Sequence, residues 1–173
     1  MLKIDIHENQ VLYSQNASQV VKWDFYNYRI IEKVRNILRN GSGEICLIFD
    51  LKEEFYTFPG GHIEKDELPI EALKRETHEE VGALINNIEA IGLCREIRAK
   101  ESILQITYYY ESLLWKQEER HLTFEEAERG TQAVWFPLKK CADILINQKK
   151  SLYHQKFSGY RDIEVLRNYN PKF

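Results

Sequence analysis

The sequence predicts an α/β protein in which a mixed β-sheet packs between helices. Two observations carry this. Strand-length segments with alternating or continuous apolar residues lie on both sides of one central stretch of helical periodicity. That stretch is bounded by Pro69 and Gly82, which suit the first helical turn and the left-handed position just past a helix end. With 173 residues and 43% hydrophobic content, the chain has material for one core. A single domain over 1–173 is expected, with 1–28 as an N-terminal extension and 149–173 as a C-terminal helical tail.

Taken in order, Val11 to Asp24 reads as an extension carrying one hairpin or edge strand. Arg29 to Leu38 and Glu44 to Asp50 alternate around the turn signal Asn40-Gly41-Ser42-Gly43, which predicts two paired strands. Phe55 to Phe58 is a short aromatic strand running into Gly60-Gly61. At about 100° per residue, Ile70, Leu73, Thr77, Val81 and Leu84 form one stripe of the central helix and are expected to face the core. Ile88 to Ile97, Ile103 to Leu114 and Ala133 to Phe136 are strands, and Lys139 to Asn147 is a helix. Tyr160 to Tyr169 is a last helix, to which no chemistry is assigned, and internal repeats are absent.

The central helix carries Glu76, Glu79 and Glu80 on an arc beside the apolar stripe, spaced i,i+3 and i,i+4 so that their carboxylates converge. Arg75, four residues before Glu79, is placed to pair with it. A carboxylate cluster of this density repels itself unless cations fill it, and divalent ions held by oxygen ligands bind phosphate chains. An acidic helix is by default a solvated face. The glycines and Arg75 at fixed offsets overturn that default, while Glu64, Asp66 and Glu71 keep it and Glu67 is intermediate.

At these residues the chain resembles the Nudix hydrolases, whose signature is G-x5-E-x7-R-E-U-x-E-E-x-G-U with U bulky and apolar. Gly61, Glu67, Arg75, Glu76, Glu79, Glu80 and Gly82 match every strictly specified position. Seven fixed positions match by chance at on the order of 10⁻⁸ to 10⁻⁹ per starting residue. Thr77 and Ala83 stand where larger apolar groups are asked for. Phe58-Pro59-Gly60-Gly61 also looks like the family's approach to the box; motif resemblance covers 58–83, with fold similarity expected over 30–148.

The resemblance implies an α/β/α Nudix sandwich and a metal-dependent pyrophosphohydrolase. Glu76, Glu79 and Glu80, with the Gly61 carbonyl, are then the expected ligands for Mg²⁺ or Mn²⁺, and Arg75 fixes a carboxylate. Family members take their general base from the box, here Glu76 or Glu79, or from an acid in a loop before a late Trp-containing strand. In this chain that loop is Leu122 to Glu128, ahead of Trp135, with Glu126 favoured slightly over Glu125 and Glu128.

Other residues read as structural. His62, His78 and His121 lack ligand spacing; His78, opposite the core stripe, is expected to face solvent. Phe25 to Tyr28 and Tyr108 to Tyr110 read as strands with core and surface faces, one member of each being placed to sandwich a base; Arg35 and Arg95, on strands flanking the box, are candidates for phosphate contacts by position, with solvated surface roles favoured. Cys46, Cys94 and Cys141 lie far apart and read as buried small hydrophobes in a reducing compartment.

The expected substrate is a small-molecule nucleotide. A net charge of -3 gives no footprint for duplex nucleic acid, and metal ions invert the local charge for an anionic nucleotide. No signal peptide or membrane-spanning run is read, so no membrane partner and a cytoplasmic location are expected; a homodimer is admissible. Family branches for ADP-ribose often carry a proline about sixteen residues past the box, and those for dinucleoside polyphosphates a tyrosine; Arg98 and its neighbours stand there, which weakens both. Nucleoside triphosphates or modified nucleotides lead, ahead of nucleotide sugars. The rival reading is a catalytically idle nucleotide-sensing module, which has no need of three glutamates plus Arg75. Isomerase chemistry on prenyl diphosphates, hosted by the same fold, would call on a buried cysteine such as Cys94.

Overall fold

The computed structural model describes residues 1–8, 11 and 27–169. Apart from Val11, the expected N-terminal hairpin and the aromatic pair Phe25-Tyr26 lie outside the described residues. The strands are β1 (Leu2–His7), β2 (Arg29–Arg39), β3 (Ile45–Asp50), β4 (Phe55–Thr57), β5 (Ala83–Arg98), β6 (Ile103–Gln117) and β7 (Gln132–Phe136). The helices are α1 (Pro69–Val81), α2 (Phe124–Glu128), α3 (Leu138–Asn147) and α4 (Tyr153–Asn168).

The sheet runs β1-β5-β6-β2-β3-β4, with β7 on β3. It is mixed: β1 is parallel to β5 and β2 to β6, while β5 and β6 form a long antiparallel hairpin. β1 goes beyond the expected strands. It reaches β5 closely, because a Cβ on Gly92 would stand 2.1 Å from the Leu2 carbonyl oxygen. Successive residues of β2 point to opposite faces. Val34 and Leu38 join clusters that include Leu73 and Val81 of α1, whereas Ile37 joins Tyr109, Cys141 of α3 and Phe157 of α4. The protein is thus an α/β/α sandwich, with α1 on one face and α3 and α4 on the other.

The expected β2–β3 hairpin pairs only at its mouth, through Arg39 and Ile45. Farther down, the edge of β2 is taken by the glycine segment: Val34 N–H donates to the Gly61 carbonyl at 3.0 Å and Asn36 N–H to the Pro59 carbonyl at 2.9 Å. Buried N–H groups need acceptors, and with these supplied by 59–61, the β2-side edge of β3 pairs with β4 while its other edge pairs with β7. Gly60 is required here, since its φ is 130° and a Cβ would meet the Val34 carbonyl oxygen at 2.3 Å.

Helix α1 starts and stops where expected. Pro69 opens it, the Leu68 N–H donates to Glu71 Oε2 at 3.0 Å, and Gly82 closes it at φ 71°. Its inward face is rotated relative to the expected stripe. Ala72, Leu73, Thr77 and Val81 are buried together with Glu76 and Glu80, Ile70 is 39% exposed, and Leu84 belongs to β5. Thr77, a departure from the apolar pattern, accepts a hydrogen bond from Asn36 Nδ2 at 3.0 Å, and Ser112 Oγ donates to Asn36 Oδ1 at 2.9 Å. This buried polar chain takes the place of a larger apolar side chain under the helix.

The tail also departs from expectation. α4 begins seven residues earlier than read, at Tyr153. It carries Arg161, buried, whose Nη1 donates to buried Glu96 at 2.6 Å and whose Nε donates to Tyr109 Oη at 2.6 Å and Asp162 at 3.0 Å. Arg98 completes the cluster with a 2.5 Å contact to Glu96. All three cysteines are free and buried, and burial pushes their thiols up.

Candidate active site

A cleft of about 330 Å³ opens where β2 and β3 diverge. Lys33 and Arg35 of β2 form one wall and Ile48 and Asp50 of β3 another, with Gly60 and Glu80 at the inner end. Glu125, Glu126 and Arg129 close it from the α2 region, and His154 and Ser158 from α4.

At the inner end, Glu76, Glu80 and Glu126 offer carboxylate oxygens that all lie within 4.8 Å of one another. Helix α1 delivers the first two on its inward face, one turn apart. The Gly60 N–H donates to Glu80 Oε2 at 2.7 Å. A Cβ on Gly61 would lie 2.4 Å from the Glu76 carboxylate, so glycine permits that close approach. Glu126 is held by the first turn of α2, where its Oε2 accepts from the Thr123 N–H at 2.8 Å and from Thr123 Oγ1 at 2.9 Å. Its other oxygen has no hydrogen-bond donor among the described residues.

Burial is the main cause that pushes the Glu80 carboxyl up to about 8; Glu76 and Glu126 add to it, while Arg35 and the Gly60 N–H oppose it. Burial likewise raises Glu76, against the pull of Arg75 and Arg35. Three crowded, partly desolvated carboxylates form an all-oxygen donor set suited to a hard divalent cation, which would relieve both their repulsion and their desolvation. Gly61, Glu76, Glu79 and Glu80 were the expected ligands; the structure gathers Glu76 and Glu80 with Glu126. Glu79 stands outside that group and accepts from Arg75 Nη1 at 3.2 Å, and the Gly61 carbonyl accepts the Val34 N–H.

Arg75 organises the helix side of the site. It donates to Glu67 from Nε at 2.8 Å and from Nη2 at 2.9 Å, to Glu76 at 3.0 Å and to the His62 carbonyl at 3.0 Å. The Arg75 hydrogen bonds hold the Glu67 carboxyl below the usual range. Glu67 is therefore a partner that orients Arg75, beyond the intermediate role read from sequence. Arg120 braces the end of α1 by donating to the Glu80 carbonyl at 2.6 Å and the Thr131 carbonyl at 2.8 Å.

Of the loop acids, Glu128 is exposed and lines no part of the cleft, whereas Glu125 lines its mouth. His78 is half-buried, not solvent-facing: its Nε2 lies 3.2 Å from Glu118 and its ring 5.4 Å from that of His121. Arg95 pairs with Asp5 at the surface. Arg35 departs from the favoured surface role and fits the phosphate-contact alternative, since it lines the cleft and its Nε is buried without an acceptor. Lys33 and His154 were not anticipated. Desolvation, with Arg35, Arg161 and Arg98 nearby, pushes Lys33 down to about 7. The parity of β2 places Lys33 with Arg35 on one face, but only the fold shows that this face borders the cleft.

Solved structures share the fold. A Nudix hydrolase from Nitrosomonas europaea is 18% identical with a TM-score of 0.57, covering 77% of this chain and 89% of that one. A MutT characterised from Aliivibrio salmonicida and Vibrio cholerae is 20% identical with a TM-score of 0.53, covering 82% and 100%. The MutT protein of Methanosarcina mazei Go1 is 17% identical with a TM-score of 0.54, covering 83% and 98%. The model of the NUDIX domain matches residues 31–156, well over half of the chain. Box, sandwich and family model agree, and the chain belongs to the Nudix family as a pyrophosphohydrolase.

Proposed function

We propose that the cleft hydrolyses the diphosphate bond of a nucleoside diphosphate linked to another group, with a nucleoside triphosphate or modified nucleotide favoured, in the presence of Mg²⁺ or Mn²⁺. The observation that carries this reading is the gathering of Glu76, Glu80 and Glu126 at the end of a cleft that also presents Lys33 and Arg35. A bound divalent cation supplies charge neutralisation at the phosphoryl oxygens and makes water more acidic.

The protein's own groups do the rest. Glu76 and Glu80 hold the cation, each kept in place by a neighbour: Arg75 on Glu76 and the Gly60 N–H on Glu80. Arg75 also fixes Glu79, outside the carboxylate group, leaving it a box alternative as proton acceptor. Glu126, with one oxygen free of protein donors, is the favoured acceptor for the proton of the attacking water, or a further ligand. The glycine segment lets the diphosphate approach the backbone, since neither Gly60 nor Gly61 carries a side chain where it runs between Val34 and the Glu76 carboxylate.

Among the described residues no helix is long and apolar enough to cross a membrane. We propose a single domain over the chain, acting on small-molecule nucleotides in the cytoplasm.

A phosphate-release screen over a nucleotide panel tests the reading. Turnover should appear with Mg²⁺ or Mn²⁺, vanish in excess chelator and return on adding metal. Undiminished turnover in chelator, or none on any nucleotide with metal, overturns it.

A further inference from the structure

The basic side chains of the cleft fall into two groups. Near its rim, Arg129 pairs with Asp50 at 3.1 Å and Glu53 at 3.2 Å, and His154 Nε2 lies 2.9 Å from Glu53. Both side chains have partners within the protein. Beside the carboxylates, the side chains of Lys33 and Arg35 form no hydrogen bond or ion pair among the described residues, and Arg35 Nε is buried with no acceptor. Both are half-buried. Behind Lys33 stand Arg98 and Arg161, whose charge is spent on Glu96 and Asp162.

Unanswered cations removed from water are costly unless an anion completes them. Two residues apart on one strand, Lys33 and Arg35 project from the same face with Cα atoms roughly 6.5 Å apart. An ammonium and a planar guanidinium at that spacing can grip oxygens of neighbouring phosphoryl groups. Arg35 also lies near enough to Glu76 and Glu80 to act on both electrostatically, so the cationic pair adjoins the carboxylate cluster directly.

We infer that Lys33 and Arg35 form an anion clamp that holds a phosphoryl group adjacent to the one addressed by the carboxylate cluster, and so favour substrates with a third phosphoryl group over diphosphates linked to a neutral sugar. The inference rests on the hydrolase reading of the same cleft. Arg129 and His154, already paired, take no part.

The test separates the clamp from the hydrolysis. Binding of inorganic tripolyphosphate is measured by calorimetry in excess chelator for the wild type, Lys33→Gln, Arg35→Gln, Lys33→Arg and Glu80→Gln. The wild type should bind; each Gln variant of the clamp should weaken binding by about 10-fold or more. Lys33→Arg should largely restore it, and Glu80→Gln should bind as well as wild type or better. Thermal stability of Lys33→Gln without phosphate should equal or exceed wild type, which separates lost affinity from misfolding. With Mg²⁺, Lys33→Gln should raise KM for a nucleoside triphosphate more than for a nucleoside diphosphate sugar. Absence of tripolyphosphate binding to wild type, unchanged binding in both Gln variants, or equal KM rises for the two substrates overturns the clamp. Retained tripolyphosphate binding with no hydrolysis of any nucleotide overturns the hydrolase reading and leaves the anion site standing.

Discussion

Glu80→Gln is expected to make the metal-free protein more stable while disabling it. The Glu80 carboxyl is 8% exposed and burial pushes it up from 4.5 to about 8. Below pH 4.5 the group is protonated in both folded and unfolded chains and contributes nothing to the pH dependence. Between pH 4.5 and 8 the unfolded chain releases a proton that the folded protein retains, so stability falls as pH rises. At about 1.4 kcal/mol per pH unit, the loss between pH 4.5 and pH 7 is on the order of 3 kcal/mol. Glutamine does not titrate and can still accept the Gly60 N–H, so the variant avoids that loss. Urea unfolding in chelator should therefore show the variant more stable than wild type at pH 7, with the gap closing toward pH 4.5. Mg²⁺ should stabilise the wild type and do much less for the variant, because only binding to the folded state stabilises. With metal present, kcat should drop by roughly 10²-fold or more, about 3 kcal/mol of barrier. A variant less stable than wild type in chelator at pH 7, or a gap independent of pH, would refute the reasoning about the buried carboxylate; wild-type turnover would refute its role as a ligand.

Other expectations can be checked alongside. If Glu126 accepts the proton, Glu126→Gln should lower kcat by about 10²-fold or more at saturating metal. If Glu126 is a ligand instead, high metal should recover much of the rate. Glu128→Gln, at an exposed position away from the cleft, should stay near wild type; near-wild-type rates in Glu125→Gln, Glu126→Gln and Glu128→Gln together eliminate a loop acid. Thr77→Val restores the apolar pattern of the box yet strands the buried Asn36 amide, and should cost about 1 to 3 kcal/mol in a denaturant melt. A variant as stable as wild type would show that the Asn36 bridge contributes nothing.

What was legible in the sequence was mostly local. Pro69, Gly82 and the carboxylate spacing specify α1 and its acidic border within a few turns, and the strands from Phe55 onward follow from short-range patterning. The hairpin at Asn40-Gly41-Ser42-Gly43 was read too far, because the competitor for the β2 edge is the segment 59–63 and turn chemistry is silent about it. Strand β1 has a readable alternation of Leu2, Ile4 and Ile6, but it is brief and its partner lies some ninety residues away. Apolar periodicity places Ile70 inward, whereas the inward face includes Glu76 and Glu80 over the inner end of the cleft. Lys33, His154 and Ser158 become site residues only through tertiary structure, since alternation cannot tell a cleft-facing side from a solvent-facing one.

The Glu96–Arg161 pair bears on where the functional unit ends. The family match stops at residue 156, within the first turn of α4, five residues before Arg161. A chain cut there would keep every residue of the carboxylate cluster and lose one of the two arginines that pair with Glu96, leaving that buried anion to Arg98 and the Gln105 amide. Removing one member of a buried pair typically costs about 3 to 5 kcal/mol, a large share of what holds a domain of this size together. Truncation after residue 156 is therefore expected to destabilise the sheet although it removes no glutamate of the cluster.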